Sequence, residues 1–172
     1  IENLKKIGVK TVFIGVENLL VWGQKKFARN YVESYTPNSL LQEIDELEKN
    51  GIGVHPSFVL GFPGETKESL QKNIAFIQEI ASKKAVKAIV ANPLYPLPGS
   101  KFFEWCLNNN GVQIKYRAAT GKNLHKTDVI DYVLLSKLFI MEFSAVTYEE
   151  VCTAIKKING PPLGNWYKDA IC

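Results

Sequence analysis

The sequence predicts an α/β protein: a partial (β/α) barrel of three parallel βα units followed by a small helical C-terminal region. Apolar runs of strand length alternate with amphipathic helix patterns in the order strand, helix, strand, helix, strand. Short connections in that order give right-handed parallel crossovers. Each unit takes about 35 to 40 residues, whereas a complete eight-unit barrel needs about 250. Residues 1–110 therefore supply a partial barrel, and residues 111–172, where strand-like runs are missing, read as a helical extension.

The elements follow in order. Residues 2–7 read as the end of a helix, with Gly8 at the position where a terminator adopts positive φ. TVFIGV, residues 11–16, is a continuous β-branched and aromatic run, the pattern of a strand covered on both faces. Partial helix is expected between Gln24 and Val32. TPNSLLQEIDELEKNG then gives a whole helix: Thr36 as N-cap, Pro37 at the first helical position, Leu40, Ile44 and Leu47 on one face, and Gly51 as terminator. IGVHPSFVLG, residues 52–61, is the second strand, and Pro56 within it argues for an edge or a bulge. Thr66 can cap a helix whose Leu70, Ile74, Ile77 and Ala81 share a face.

VKAIVANPLYP, residues 86–96, is the third strand. KFFEWCLNNNG reads as a short helix ending at Gly111, followed by a polar connection to Lys126. Two further helices are expected, Asp128 to Ser144 and Thr147 to Asn159, the second opened by a Thr147–Glu150 capping box and burying Val151, Ile155 and Ile158. GPPLGNWYKDAIC is a proline-stopped tail.

Composition limits the function classes. At 172 residues and 46% hydrophobic, the chain can bury a sizeable core. Lys and Arg number 21 against 17 Asp and Glu, and the basic residues are spread along the chain, without the clustered patch that nucleic-acid binding needs. No apolar stretch is long enough to cross a bilayer, so the expected location is the cytoplasm. Cys106, Cys152 and Cys172 stand far apart, with His55 and His125 as the only histidines. Neither a zinc site nor a self-contained iron–sulfur site fits such spacing, and free thiols are expected. The chain opens at Ile1 inside a helix-like segment, as a piece of a longer protein would.

Ligands in parallel α/β sheets bind outside the carboxyl ends of the strands. Those ends carry Glu17-Asn18, the bend Gly61-Phe62-Pro63-Gly64-Glu65, and Asn92 through Ser100. Glu17 follows its strand directly, where a carboxylate could hold hydroxyls or an ammonium group, or simply meet solvent. Arg29 could offer a planar fork to a ligand carboxylate or be one of several surface cations. Gly61 and Gly64 leave room for close approach, or form an ordinary turn. NPLYPLPGS presents Leu94, Tyr95 and Leu97 around unpaired backbone, a platform for a flat ring or a plain proline-rich loop.

Together, TVFIGVEN, ARNY, LEKNGIGVHPSFVLGFPGET and NPLYPLPGS resemble the fourth to sixth strands of a radical S-adenosylmethionine (radical SAM) barrel. The flavour is that of the cobalamin-binding group, which includes anaerobic magnesium-protoporphyrin monomethyl ester oxidative cyclases and many methylases. The resemblance implies that Glu17 meets the SAM ribose region and that Arg29 meets the methionine carboxylate. It further implies that Ser57 touches the ribose, that Gly61 to Glu65 form the family turn, and that Pro93, Leu94 and Tyr95 frame adenine. Where the family has a Ser-Gly-small segment after the acidic residue, this chain has Asn18-Leu19-Leu20.

The cluster-binding CxxxCxxC is absent, so the resemblance implies a C-terminal fragment that cannot cleave SAM by itself. Its implied partners are a small-molecule substrate and the N-terminal half of the same protein, which would carry the [4Fe–4S] cluster and any cobalamin domain. Such an enzyme generates a 5′-deoxyadenosyl radical or methylates its substrate. The helices after residue 111 would close the lower side of the barrel or contribute substrate contacts. Exposed strand edges make self-association an expectation. Two other readings stay open: a non-catalytic α/β binding module or degenerate member without a cluster, and an unrelated phosphate-binding barrel, for which Gly121-Lys122 is a poor candidate loop.

Overall fold

The computed structural model describes residues 1–21, 36–126 and 130–158. Arg29, the helix expected between Gln24 and Val32, and the tail from residue 159 fall outside the described residues.

Helix α1 (Glu2–Lys6) leads into strand β1 (Thr11–Glu17), and a 3-10 turn follows at Leu19–Val21. Helix α2 (Pro37–Lys49), strand β2 (Gly53–Leu60), helix α3 (Lys67–Ala81) and strand β3 (Val90–Pro93) complete the alternating part. Four helices remain: α4 (Lys101–Asn108), α5 (Asn110–Thr120), α6 (Tyr132–Phe143) and α7 (Tyr148–Ile158). The sheet has the order β1-β2-β3, with both pairings parallel. The partial α/β fold with a helical C-terminal region is thus the observed architecture.

Local chemistry sets the helix starts. Thr36 and Thr66 each accept a bond from the backbone N–H three residues on, while Ser39 and Ser69 reach back to complete capping boxes. Thr147 and Glu150 bond reciprocally in the same way at the start of α7. The expected apolar faces are buried: Leu40, Ile44 and Leu47 on α2, Leu70 and Ile77 on α3, and Val151, Ile155 and Ile158 on α7.

These helices form one layer. Their apolar faces share a core with Val16, Val54, Phe58, Leu60 and Ala91 of the sheet, and α7 packs against α3 and β3. Over β1 the opposite face of the sheet carries no such layer among the described residues, whereas Val59, on that face at the tip of β2, packs against the helices that follow β3. Phe13, on that face, is 68% exposed. This corrects the expectation that β1 is covered on both faces: its burial alternates along the strand, and one side alone meets the helices.

Further expectations are revised. Pro56 lies in the central strand, opposite Ile14 of β1. Residues Val54 and Leu60 direct their backbone groups toward the third strand, so Pro56, at the same parity, turns its N–H-less nitrogen that way. It falls in the gap between the isolated Val54–Val86 bridge and the start of β3 at Val90, where no ladder bond is lost. The third strand is correspondingly short, because its pairing breaks between residues 86 and 90.

Past residue 100, Gly111 does not end a helix. Asn109 ends α4 and caps α5 through a bond accepted from Val112 N–H, so the expected polar connection is helical to Thr120. Helices α4 to α6 build a second core with Phe62 and Leu94, the residues just past the carboxyl ends of β2 and β3. These helices therefore sit at the carboxyl side of the sheet and not at its lower side.

Candidate functional site

The register aligns Gly15 with Ser57 and Ser57 with Val90, so the carboxyl ends of all three strands lie at one end of the sheet. Strand parity sends the side chains of Ser57 and Val90 to the open face, along with Phe13 and His55. Beyond Gly15 the pairing slips, and Glu17 stands opposite Phe58.

Glu17 is the sole non-glycine with positive φ, 64°, among the described residues. Its carboxylate folds back over Gly15: a Cβ on that glycine would lie 3.0 Å from Glu17 Oε1. A left-handed backbone costs a non-glycine residue roughly 1–2 kcal/mol and persists only where its surroundings impose it. The result is a half-buried acid on the open face, over Gly15, whose partner on the neighbouring strand is Ser57. Burial raises the Glu17 pKa above the ordinary carboxylate value.

The other expected residues are placed differently. Gly61, at φ 87°, lies under α6: a Cβ there would stand 2.5 Å from Ile140 Cδ1. The close approach that this glycine permits is made by a protein side chain. Pro93 is buried, and Leu94 belongs to the second core. Leu94 also donates its N–H to Leu60 O at 2.8 Å and accepts the Ser136 hydroxyl at 2.7 Å. Tyr95 is half-buried, two residues past β3. The register and the Glu17 carboxylate over Gly15 put Glu17 and Ser57 on one face.

A buried polar cluster beneath this corner went unread in the sequence. Asn18, Glu65 and Asn73 are 0%, 0% and 2% exposed. Asn18 donates its amide to Val59 O and Glu65 Oε1, each at 3.0 Å, and its Oδ1 accepts from Leu20 N–H and from Asn73 Nδ2. Asn73 also donates to Glu65 Oε1 at 2.8 Å and accepts Leu19 N–H. Gly61 N–H donates to Glu65 Oε2 at 2.5 Å. Burial raises the Glu65 pKa against the opposing pull of these donors. The one signal in the sequence was an acid directly ahead of Thr66, a helix cap that is complete without it.

No group of three or more His, Cys, Asp or Glu among the described residues could hold a metal ion. Cys106 and Cys152 are both buried in the apolar cores. A groove of about 550 Å³ lies between α3 and α7 in the helical layer, lined by Lys67, Gln71, Glu149 and Glu150 among others. No helix among the described residues is long and apolar enough to cross a membrane.

Fold and site define a three-stranded parallel α/β unit with an acid and a hydroxyl at adjacent strand ends. No family model matches the chain. It is similar to an uncharacterized methyltransferase of Pyrococcus horikoshii, 26% identical over 139 residues. That match covers 81% of this chain and 27% of the relative, so the chain spans little more than a quarter of the relative's length.

Proposed function

We propose that this chain is the S-adenosylmethionine-binding C-terminal half of a (β/α) barrel in a methyltransferase of the radical SAM type. The observation that carries the reading is Glu17, held in a left-handed backbone with its carboxylate over the side-chain-free surface of Gly15, next to Ser57. Support comes from the methyltransferase relative and from the residue pattern of the three strand ends.

The residues present fit one side of SAM. A carboxylate accepts hydrogen bonds from the vicinal hydroxyls of a ribose, and its charge favours a neighbouring sulfonium or ammonium group. Gly15 keeps the floor of the corner open, because a Cβ there would crowd the acid and shift it. Partial burial of Glu17 means that a bonded partner is worth more there than in open water. Ser57 adds a donor and acceptor one strand away. Arg29, outside the described residues, is assigned the methionine carboxylate, and Tyr95 the adenine side, with the buried Pro93 and Leu94 supporting the bend that carries it. Gly61 serves through the turn it makes possible under Ile140.

When bound, SAM supplies a methyl group or, with a reduced cluster, radical chemistry; this chain binds and orients it. The described residues do not fit the [4Fe–4S] cluster itself. Burial pushes the Cys106 thiol up to about 12, and Cys152 sits in the first core. Ligands for the cluster, and the cobalamin domain, are assigned to the remaining polypeptide, whose preceding strand would pair along the side of β1 away from β2. Binding of radiolabelled SAM to a polypeptide joining this chain to its upstream half tests the proposal. Saturable binding displaced by S-adenosylhomocysteine is the expected result, and an absence of binding overturns it.

A further inference from the structure

The geometry points to Asn18, Glu65 and Asn73 as a positioning cluster that holds Glu17 in its left-handed conformation and so aims its carboxylate at the open face. The inference rests on the reading just given only where ligand affinity is concerned. Glu17 is fixed on its N-terminal side by the β1 ladder, which aligns it with Phe58. On its C-terminal side the chain is pinned residue by residue. Asn18 makes four side-chain hydrogen bonds, Leu19 N–H donates to Asn73 Oδ1 at 2.9 Å, and Leu20 N–H donates to Asn18 Oδ1 at 2.9 Å.

Apart from the local Leu20–Asn18 bond, the partners come from the end of β2, the following bend and α3, 41 to 55 residues away in sequence. With both flanks fixed, the residue between them has no freedom to relax out of positive φ, and the strain persists because its surroundings impose it. Glu65 anchors the arrangement. It accepts both asparagine amides on Oε1 and the Gly61 N–H on Oε2, tying the tip of β2 to the loop after β1. The departure from a Ser-Gly-small segment after the acidic residue is thereby explained: here Asn18 fixes the loop through side-chain hydrogen bonds.

Two readouts on the same variant separate positioning from plain stability. The first is ligand-free: the Glu17 carboxyl titration followed by ¹³C NMR. Among other titratable groups, His55 shares the open face and Glu65 lies in the cluster. In Asn73→Ala, Glu17 loses its hold, gains solvent and titrates lower, toward 4.5. A control of matched stability loss in the second core, Val112→Ala, leaves that titration in place. Should Asn73→Ala fail to fold, Asn73→Ser gives the same direction of shift.

The second readout is a double-mutant cycle on SAM affinity. Positioning predicts that Asn73→Ala weakens binding about five- to tenfold alone and adds little when Glu17 is already alanine, because the two act through one contact. An unmoved Glu17 titration in the Asn73 variant overturns the inference, as does full additivity where Glu17→Ala itself weakens binding. If Glu17→Ala leaves SAM affinity unchanged, the ligand reading fails, while the titration still decides the cluster's role.

Discussion

Ile140 of α6 occupies the space that a side chain on Gly61 would need: a Cβ there would meet Ile140 Cδ1 at 2.5 Å and Cγ1 at 2.8 Å. The helical region and the bend after β2 are fitted to each other at this point. Gly61→Ala is therefore expected to lose about 2–5 kcal/mol, adding overpacking to the cost of a left-handed backbone. Gly64→Ala, at φ 81° with nothing within 4 Å, bears the backbone cost alone. Urea denaturation of both variants checks the difference, and equal losses would contradict the packing at Gly61.

Glu17 makes the ionised state costly to fold. Its folded pKa is raised by burial, so the stability it contributes is fully present below its unfolded value near 4.5 and is lost as pH rises through the folded value. Glu17→Gln is consequently expected to be more stable than the wild type at pH 7, with that margin vanishing below about pH 4. Thermal unfolding of the pair across this range is the measurement. A margin independent of pH would show that Glu17 is not desolvated.

Cys106 is expected to be inert in the folded protein. It is 0% exposed, and its thiol is pushed up to about 12 by burial. The thiolate is the reactive form. Peptide mapping after iodoacetamide treatment should find Cys106 unmodified under native conditions and alkylated in denaturant. Rapid native labelling would mean that the second core opens.

Phe13 is the exposed hydrophobic most directly tied to the proposed missing half of the barrel. It is 68% exposed on the open face of β1, which among the described residues pairs with β2 alone. Light scattering on the 172-residue chain is expected to show concentration-dependent self-association that Phe13→Lys reduces. A clean monomer at high concentration would count against association through this strand.

Much of the architecture was legible because its signals are local. Thr36, Thr66 and Thr147 each announce a helix through a partner three residues away, and the alternation of runs implies parallel strands. What escaped depends on distant contacts or on dual roles. Asn109 both ends one helix and caps the next, so Gly111 resembled a terminator while being the second residue of α5. Pro56 is tolerated in the central strand only because β3 has not yet begun beside it. Asn18, Glu65 and Asn73 look like loop and surface residues in sequence, and only folding brings them together. Glu17 was readable as an acid at a strand tip; its left-handed backbone was not.

The central claim is that the Glu17 carboxylate over Gly15 holds S-adenosylmethionine. Isothermal titration calorimetry with SAM, on a polypeptide joining this chain to the proposed upstream half, tests it through two variants. Glu17→Ala removes the acid, and Gly15→Ala leaves it in place but puts a Cβ 3.0 Å from Oε1. Both are expected to weaken binding about tenfold or more, the loss of one charge-assisted hydrogen bond, while Gly15→Ala leaves unfolding stability nearly unchanged. Wild-type affinity in both variants would contradict the account.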